Sequence, residues 1–490
     1  MNKNNLGDFL NKLSKQRKIK LGDLAEHCQI SRTTLYRYTK GIMQIPPPVE
    51  TVLSKALGMS KAERDEFRRL IALTVQDGSL ISSRYVLDDF VFSGKPEKKS
   101  ANIDFVFHHK DRLLRNSKEL SEVFLKHLGK EAFRCDIKVL HCIEEEFKDD
   151  LGSMLTELLA ASQSVSVEHL LHFPKKDYLT CTKNLLAIIP LFSFPNYQAL
   201  YSDSPDTQSQ TLFLNNVILV ETSWRDDTGD IRQFFVLSYL SGALSQCTCF
   251  EDEYLFRFFM ENYQNYRAKY KNALLGERNL TDLTEYFMAM ELTYEQLILK
   301  PSMCYHKIPI QVYLNLLERI PPEVKQQLKL DEQENIDRLA FSLETRYSHA
   351  HKKGNIDVVS KPAMLAFANN GLLDDHIEGM PPFNTKERKM ILQSLREHMV
   401  RKTGGYHLYI TEKDIGHNCS VFKNACLVYE FPDSYTNAYN HNYPFAMIEN
   451  KMIAEIFSDY ITHHIPAYHA MPEEEAVRFM DRLIEMLDDE

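Results

Sequence analysis

Leu24-Ala25, then Ile30-Ser31-Arg32-Thr33-Thr34-Leu35-Tyr36-Arg37-Tyr38, then Gly41 is the stretch that decides how this chain begins. Leu21, Leu24, Ala25 and Cys28 recur at helical spacing and mark one apolar face. Ala25 is small where a following helix must come close. Ile30 plugs a turn, and Ser31 is a good N-cap for a second short helix. On that helix Leu35 and Tyr38 face inward, while Arg32, Thr33, Tyr36 and Arg37 face outward. Gly41 offers a left-handed residue to close it. Helix, tight turn, helix is the arrangement that places one short helix in a DNA major groove.

Working outward, Leu6, Phe9, Leu10 and Leu13 form a first helix, followed by a basic turn of Lys15, Arg17, Lys18 and Lys20. Pro46, Pro47 and Pro48 read as a stiff connector. Val49, Val52, Leu53, Ala56 and Leu57 make a fourth helix. Ser60 and Glu63 form a capping box for a fifth, carrying Phe67, Leu70 and Ile71.

The pattern Leu24-Ala25, Ile30-Ser31, Thr34-Leu35, Arg37-Tyr38, Gly41 and Ala56-Leu57-Gly58 resembles the Cro/C1-type (xenobiotic-response-element family) DNA-binding domain over residues 5–73. By position, the resemblance implies that Arg32, Thr33, Thr34 and Arg37 face DNA. Tyr36 and Lys40 complete the candidate DNA-binding set. Three positions depart from the family pattern: Gln29 where a turn Gly is common, Thr39 where Glu is frequent, and Leu21 where a polar residue often opens the second helix. The competing reading is a helix-turn-helix used for protein contacts alone.

Charge is unevenly distributed along the 490 residues. The net charge is −10, yet residues 1–75 carry 14 Lys/Arg against 7 Asp/Glu, leaving a +7 head on a −17 remainder. A basic head on an acidic body fits nucleic acid touching only the head. Hydrophobic content of 44% and charged content of 26% are those of an ordinary globular chain, long enough for several domains. No apolar run approaches the ~18 residues of a membrane span. The polar, basic start lacks a secretion signal, and nine cysteines without zinc-type spacing suit reduced thiols, so a cytoplasmic location is expected. Cys247 and Cys249 read as buried small hydrophobes.

Residues 1–75 are therefore expected to be an all-α, five-helix head, and 76–102 a linker. The apolar runs Tyr85-Val86-Leu87 and Phe90-Val91-Phe92 should dock on another surface, such as a dimer mate. A mixed α/β body follows, with a first lobe over 103–275, a helical bridge over 276–335, and a second lobe over 336–490 that ends in an amphipathic helix. The body reads as a divergent internal duplication. Tyr197 answers Tyr406, Asn216 answers Asn424, Pro174 answers Pro382, and Phe259–Tyr263 answers Ile456–Tyr460. Asp136–Val139 answers Ile356–Val359 as a strand start. Asn216 and Asn424 either line a cleft or form turns.

No Gly-rich phosphate loop, zinc-protease helix or nucleophile elbow is present, so no catalytic residue and no cofactor is expected. His463, His464 and His469 invite a metal, but Pro466 should break the helix before His469, so no metal site is assigned. The expectation is a one-component transcription regulator: a homodimer on double-stranded DNA, away from membranes, whose body senses a small effector across a cleft. The alternatives are an enzyme tethered to DNA and a scaffold that binds a partner without sensing.

Overall fold

The computed structural model describes residues 5–39, 45–73, 78–92, 107–109, 112–114, 117–141, 149–173, 177–202, 216–239, 247–273, 280–301, 307–351, 354–373, 379–401, 405–430 and 445–487. The head holds α1 (Asn5–Gln16), α2 (Leu21–His27), α3 (Arg32–Thr39), α4 (Pro47–Ala56) and α5 (Lys61–Leu73). Leu6, Leu10, Leu24, Leu35, Tyr38, Leu53 and Phe67 share one small core. Their spacings of three and four put each on a single helix face. Phe9 stacks on Phe67 at 6.2 Å between centroids. Gly7 allows α1 to lie against the end of α3, since a Cβ there would meet the Thr39 carbonyl oxygen at 2.6 Å.

The three prolines start a helix instead of spanning a gap. Pro46 is the extended N-cap of α4, and prolines fill its first turn, where a missing N–H breaks no helical bond. Ser60 and Glu63 bond each other's backbone N–H groups at 2.8 and 3.2 Å, as a capping box does.

Part of the 76–102 linker reading needs correction, at 78–92; residues 76–77 and 93–102 lie outside the described residues. Gly78–Phe92 forms α6, with Leu87 and Val91 fully buried in the main core of the body. The runs 85–87 and 90–92 therefore dock on this chain's own body. Arg84 makes a two-pronged bond to Asp459 at 2.5 and 2.8 Å. Phe90 stacks on His417 at 3.7 Å. The helix packs between head and body, so apolar residues sit nearly all round it. That erases the one-sided periodicity by which a surface helix is recognised.

In the first lobe, β1 (Phe107–His109), β2 (Arg112–Leu114) and α7 (Ser117–Phe124) lead into β3 (Glu131–His141). Then come α8 (Asp149–Ala161), β4 (Val165–His172), α9 (Tyr178–Ile188) and β5 (Tyr197–Ser202). The lobe closes with β6 (Asn216–Asp226), β7 (Gly229–Tyr239), β8 (Cys247–Glu251), α10 (Glu253–Arg267) and β9 (Lys271–Asn272). Its sheet has the order β8-β7-β6-β3-β4-β5-β9.

The second lobe begins with α11 (Leu280–Thr293), β10 (Gln296–Leu299), α12 (Ile310–Arg319), α13 (Pro322–Gln327) and α14 (Gln333–Ala350). It continues through β11 (Ile356–Ser360), α15 (Lys361–Asn370), α16 (Thr385–Arg401), β12 (His407–Thr411), β13 (Asn418–Phe422), β14 (Cys426–Glu430) and β15 (Phe445–Ile448). It ends with α17 (Lys451–Asp459), α18 (Ile465–Tyr468) and α19 (Glu473–Met486). This sheet has the order β12-β11-β10-β13-β14-β15.

The two orders follow one rule. The first strand (β3 or β10) is central, with the second and third strands parallel on one side. The fourth to sixth are antiparallel on the other side. Two sequence-based expectations change accordingly. The 276–335 bridge is not wholly helical, because Gln296–Leu299 is the central strand of the second sheet. A four-residue strand buried at every position shows no alternation, so it hides among helical apolar residues. Asp136–Val139 lies on β3 but Ile356–Val359 lies on β11, so they occupy different places in the two sheets. Pro174 lies outside the described residues.

The lobes join through sheet edges. Ala273 N–H bonds the Ala199 carbonyl at 2.9 Å, and its own carbonyl accepts the Met447 N–H at 2.7 Å. Each edge thereby covers the other. Among the described residues no helix is long and apolar enough to cross a membrane.

Candidate functional site

The outer face of α3 is built by the turn before it. Gln29 stands at φ 54°, the left-handed conformation that favours Gly, and turns the chain out of α2. Ser31 Oγ then accepts the Thr34 N–H at 3.0 Å and caps α3. Leu35 and Tyr38 are buried, which leaves Arg32, Thr33, Tyr36 and Arg37 exposed on one face. Thr34 is half-buried, and its hydroxyl is 2.8 Å from Ser31 Oγ, so it belongs to the cap more than to the open face. Arg32 folds back over α2, its guanidinium 3.0–3.1 Å from where a Cβ on Gly22 would stand. Lys40 and Gly41 lie outside the described residues. Thr39 is buried and its hydroxyl donates to the Tyr36 carbonyl at 2.8 Å. Lys15, Lys18 and Lys20 are exposed at the α1–α2 turn, while Arg17 is held by Glu63 at 2.7 Å.

A cleft of about 570 Å³ lies where the two lobes meet. Phe173 and Lys271 come from the first lobe; Met290, Tyr294, Asn424, Cys426 and Lys451 come from the second. Lys271 faces Glu449 across it at 3.6 Å, and the Glu449 N–H donates to Tyr201 Oη at 2.8 Å. Asn424 reaches this cleft, but it does so from the β13–β14 turn at φ 61°. Turn former and cleft wall, the two alternatives for Asn424, therefore coincide at one position. Asn216 opens β6, so the two asparagines are not at equivalent places.

The third cluster lies at the junction of head and body. Glu50 of α4 is buried and accepts from Arg68 at 3.0 Å, Tyr85 at 2.8 Å and Tyr468 at 2.6 Å. One head carboxylate thus ties together α5, α6 and α18. One turn along α6 from Tyr85, Asp88 meets two imidazoles: His464 Nε2 at 3.2 Å and His469 Nε2 at 2.5 Å. Burial opposes ionisation of Asp88, yet the neighbouring His464 and His469 outweigh it and hold the carboxyl below the usual carboxylate range. The Tyr460 hydroxyl donates to the same carboxylate at 3.1 Å.

Pro466 does not separate these histidines as the sequence led us to expect. It sits in the first turn of α18, where proline is tolerated, and the chain winds on to His469. A π-helical turn, Tyr460–His464, precedes it and resets the helix phase. His463 points away, its side chain 61% exposed. The decisive partner, Asp88, is 376 positions from His464 in the sequence, and no local spacing could have found it.

No protein-family model, curated protein or solved structure matches this chain.

Proposed function

We propose that the chain is a DNA-binding transcription regulator of the Cro/C1 type, with α3 as its recognition helix and a body that dimerises and senses a small effector. The observation that carries this reading is the capped α3 with Arg32, Thr33, Tyr36 and Arg37 exposed together on a +7 head. Residues near the start of such a helix reach base edges, and those a turn later meet phosphate. Thr33→Ala should therefore shift the sequence preference in a randomised-duplex selection. Arg37→Ala should weaken binding to all duplexes alike and reduce the salt slope by about one. The reverse pattern would mean that the helix is wrongly oriented. No salt-sensitive binding by the full chain would remove the reading.

We further infer that the body arose by duplication, and the shared strand order supports this. So does a repeated contact. Tyr197 begins the third strand of the first sheet and bonds His169 at 2.9 Å, two residues beyond its register partner Val167. Tyr406 immediately precedes the third strand of the second sheet and bonds Asp357 at 2.6 Å. Since His407 pairs with Ile356, Asp357 is again two beyond the residue opposite the tyrosine.

The effector is placed in the interlobe cleft. Phe173 and Met290 suit an apolar portion, and Lys271 and Lys451 suit an anionic group. A thermal-shift screen of the full chain against small apolar carboxylates and phosphates should find a saturable stabiliser that Lys271→Glu abolishes. A hit unaffected by Lys271→Glu would place the effector elsewhere, and turnover of a hit would favour the tethered enzyme.

A further inference from the structure

We propose that Asp88, His464 and His469 bind a divalent transition-metal ion of the zinc class, pinning α6 to the C-terminal segment of the body. One ligand atom from each of these residues lies within 4.8 Å of the other two. Around a tetrahedral ion with bonds of about 2.1 Å, ligand atoms stand about 3.4 Å apart, so small side-chain shifts complete the site. Two imidazoles and one carboxylate form a donor set that suits zinc, with a fourth position open to water.

Two further features suit an ion at this point, once the 2.5 Å approach of His469 Nε2 to the Asp88 carboxylate opens to the ligand spacing. The Tyr460 hydroxyl holds the carboxylate from outside, as outer-shell partners of metal ligands do. The π-helical turn ending at His464 is a costly irregularity of the kind found at functional sites, and it delivers one of the ligands.

The position gives the ion a consequence. Tyr468 lies between the two histidines in the chain and holds Glu50 of the head at 2.6 Å. An ion that fixes both histidines fixes Tyr468, and so stiffens the attachment of head to body. An effect on DNA affinity rests on the regulator reading above; metal binding does not.

The test uses the full chain, stripped with a chelator and titrated with Zn²⁺ and, as a spectroscopic probe, Co²⁺, in the absence of DNA. One equivalent should bind, with cobalt absorption typical of nitrogen and oxygen donors and without a thiolate charge-transfer band. Asp88→Asn and His469→Gln, which preserve size and hydrogen bonding, should each lower affinity by more than the roughly 10–100-fold expected for Tyr460→Phe. His463→Ala, at the exposed neighbour, should bind as the parent does. Absence of saturable binding, a thiolate band, or affinity unchanged in Asp88→Asn and His469→Gln would overturn the proposal. The cobalt spectrum of the unaltered chain decides the matter even if a variant fails to fold.

Discussion

Glu50→Ala should cost about 3 kcal/mol and divide a single unfolding transition into two, with the head melting before the body. The carboxylate is buried and accepts from Arg68, Tyr85 and Tyr468 at once. Removing one partner of a buried ion pair typically costs about 3–5 kcal/mol, because the remaining groups lose their bonds without regaining water. We place this case at the lower end, since Arg68 is 31% exposed and can turn to solvent. The tyrosines are more confined: Tyr85 lies under Arg68 at 4.9 Å and edge-on to His464 at 5.2 Å, and the Tyr468 ring lies 4.5 Å from that of His464. The same three partners belong to α5, α6 and α18, so the loss falls on the seam between head and body. Calorimetry of the full chain checks this. One transition at an unchanged temperature would show that the seam is held by α6 burial alone.

The full chain should select an operator of two half-sites with centres about 34 Å apart, and the isolated head should lose at least ~10³-fold in discrimination against random duplex. One short recognition helix contacts too few base pairs to single out a site in a genome, so specificity requires two heads. With residues 85–92 packed against the body of their own chain, the proposed dimer would need another surface. We place it at Phe250 of the edge strand β8 and Tyr254 and Phe258 of α10, which are 45%, 83% and 42% exposed. The doubly charged variant Tyr254→Asp/Phe258→Asp should be monomeric by light scattering. It should keep salt-dependent duplex binding and lose operator selectivity. A monomeric parent, or a variant that dimerises and discriminates as the parent does, would refute the arrangement.

The helices of the head were legible because their signals are local. Leu24, Ala25, Leu35 and Tyr38 are buried where their spacing places them, and the Ser31 and Ser60 caps form bonds within three residues. A contact of that range depends on backbone geometry alone, and a short window of sequence contains all of it. The exposed set Arg32, Thr33, Tyr36 and Arg37 follows by exclusion from the same periodicity, whereas Thr34 moved into the cap because its hydroxyl found Ser31.

Elsewhere the deciding contacts join distant parts of the chain. The tyrosine landmarks at 197 and 406 were visible in the sequence, but the equivalence of strand orders that gives them meaning depends on β10, a short buried strand without alternation. Helix α6 resembled a linker because burial between head and body removes the polar face by which helices are recognised. Asp88, His464 and His469 were separable in sequence and are adjacent in space, since a π-helical turn and an antecedent helix from the far end of the chain bring them together. Sequence by itself determined which short helices form and which of their faces are apolar, because those depend on neighbours three or four residues away. Only the tertiary structure decided which distant side chains share a buried point, because that depends on packing whole elements against one another.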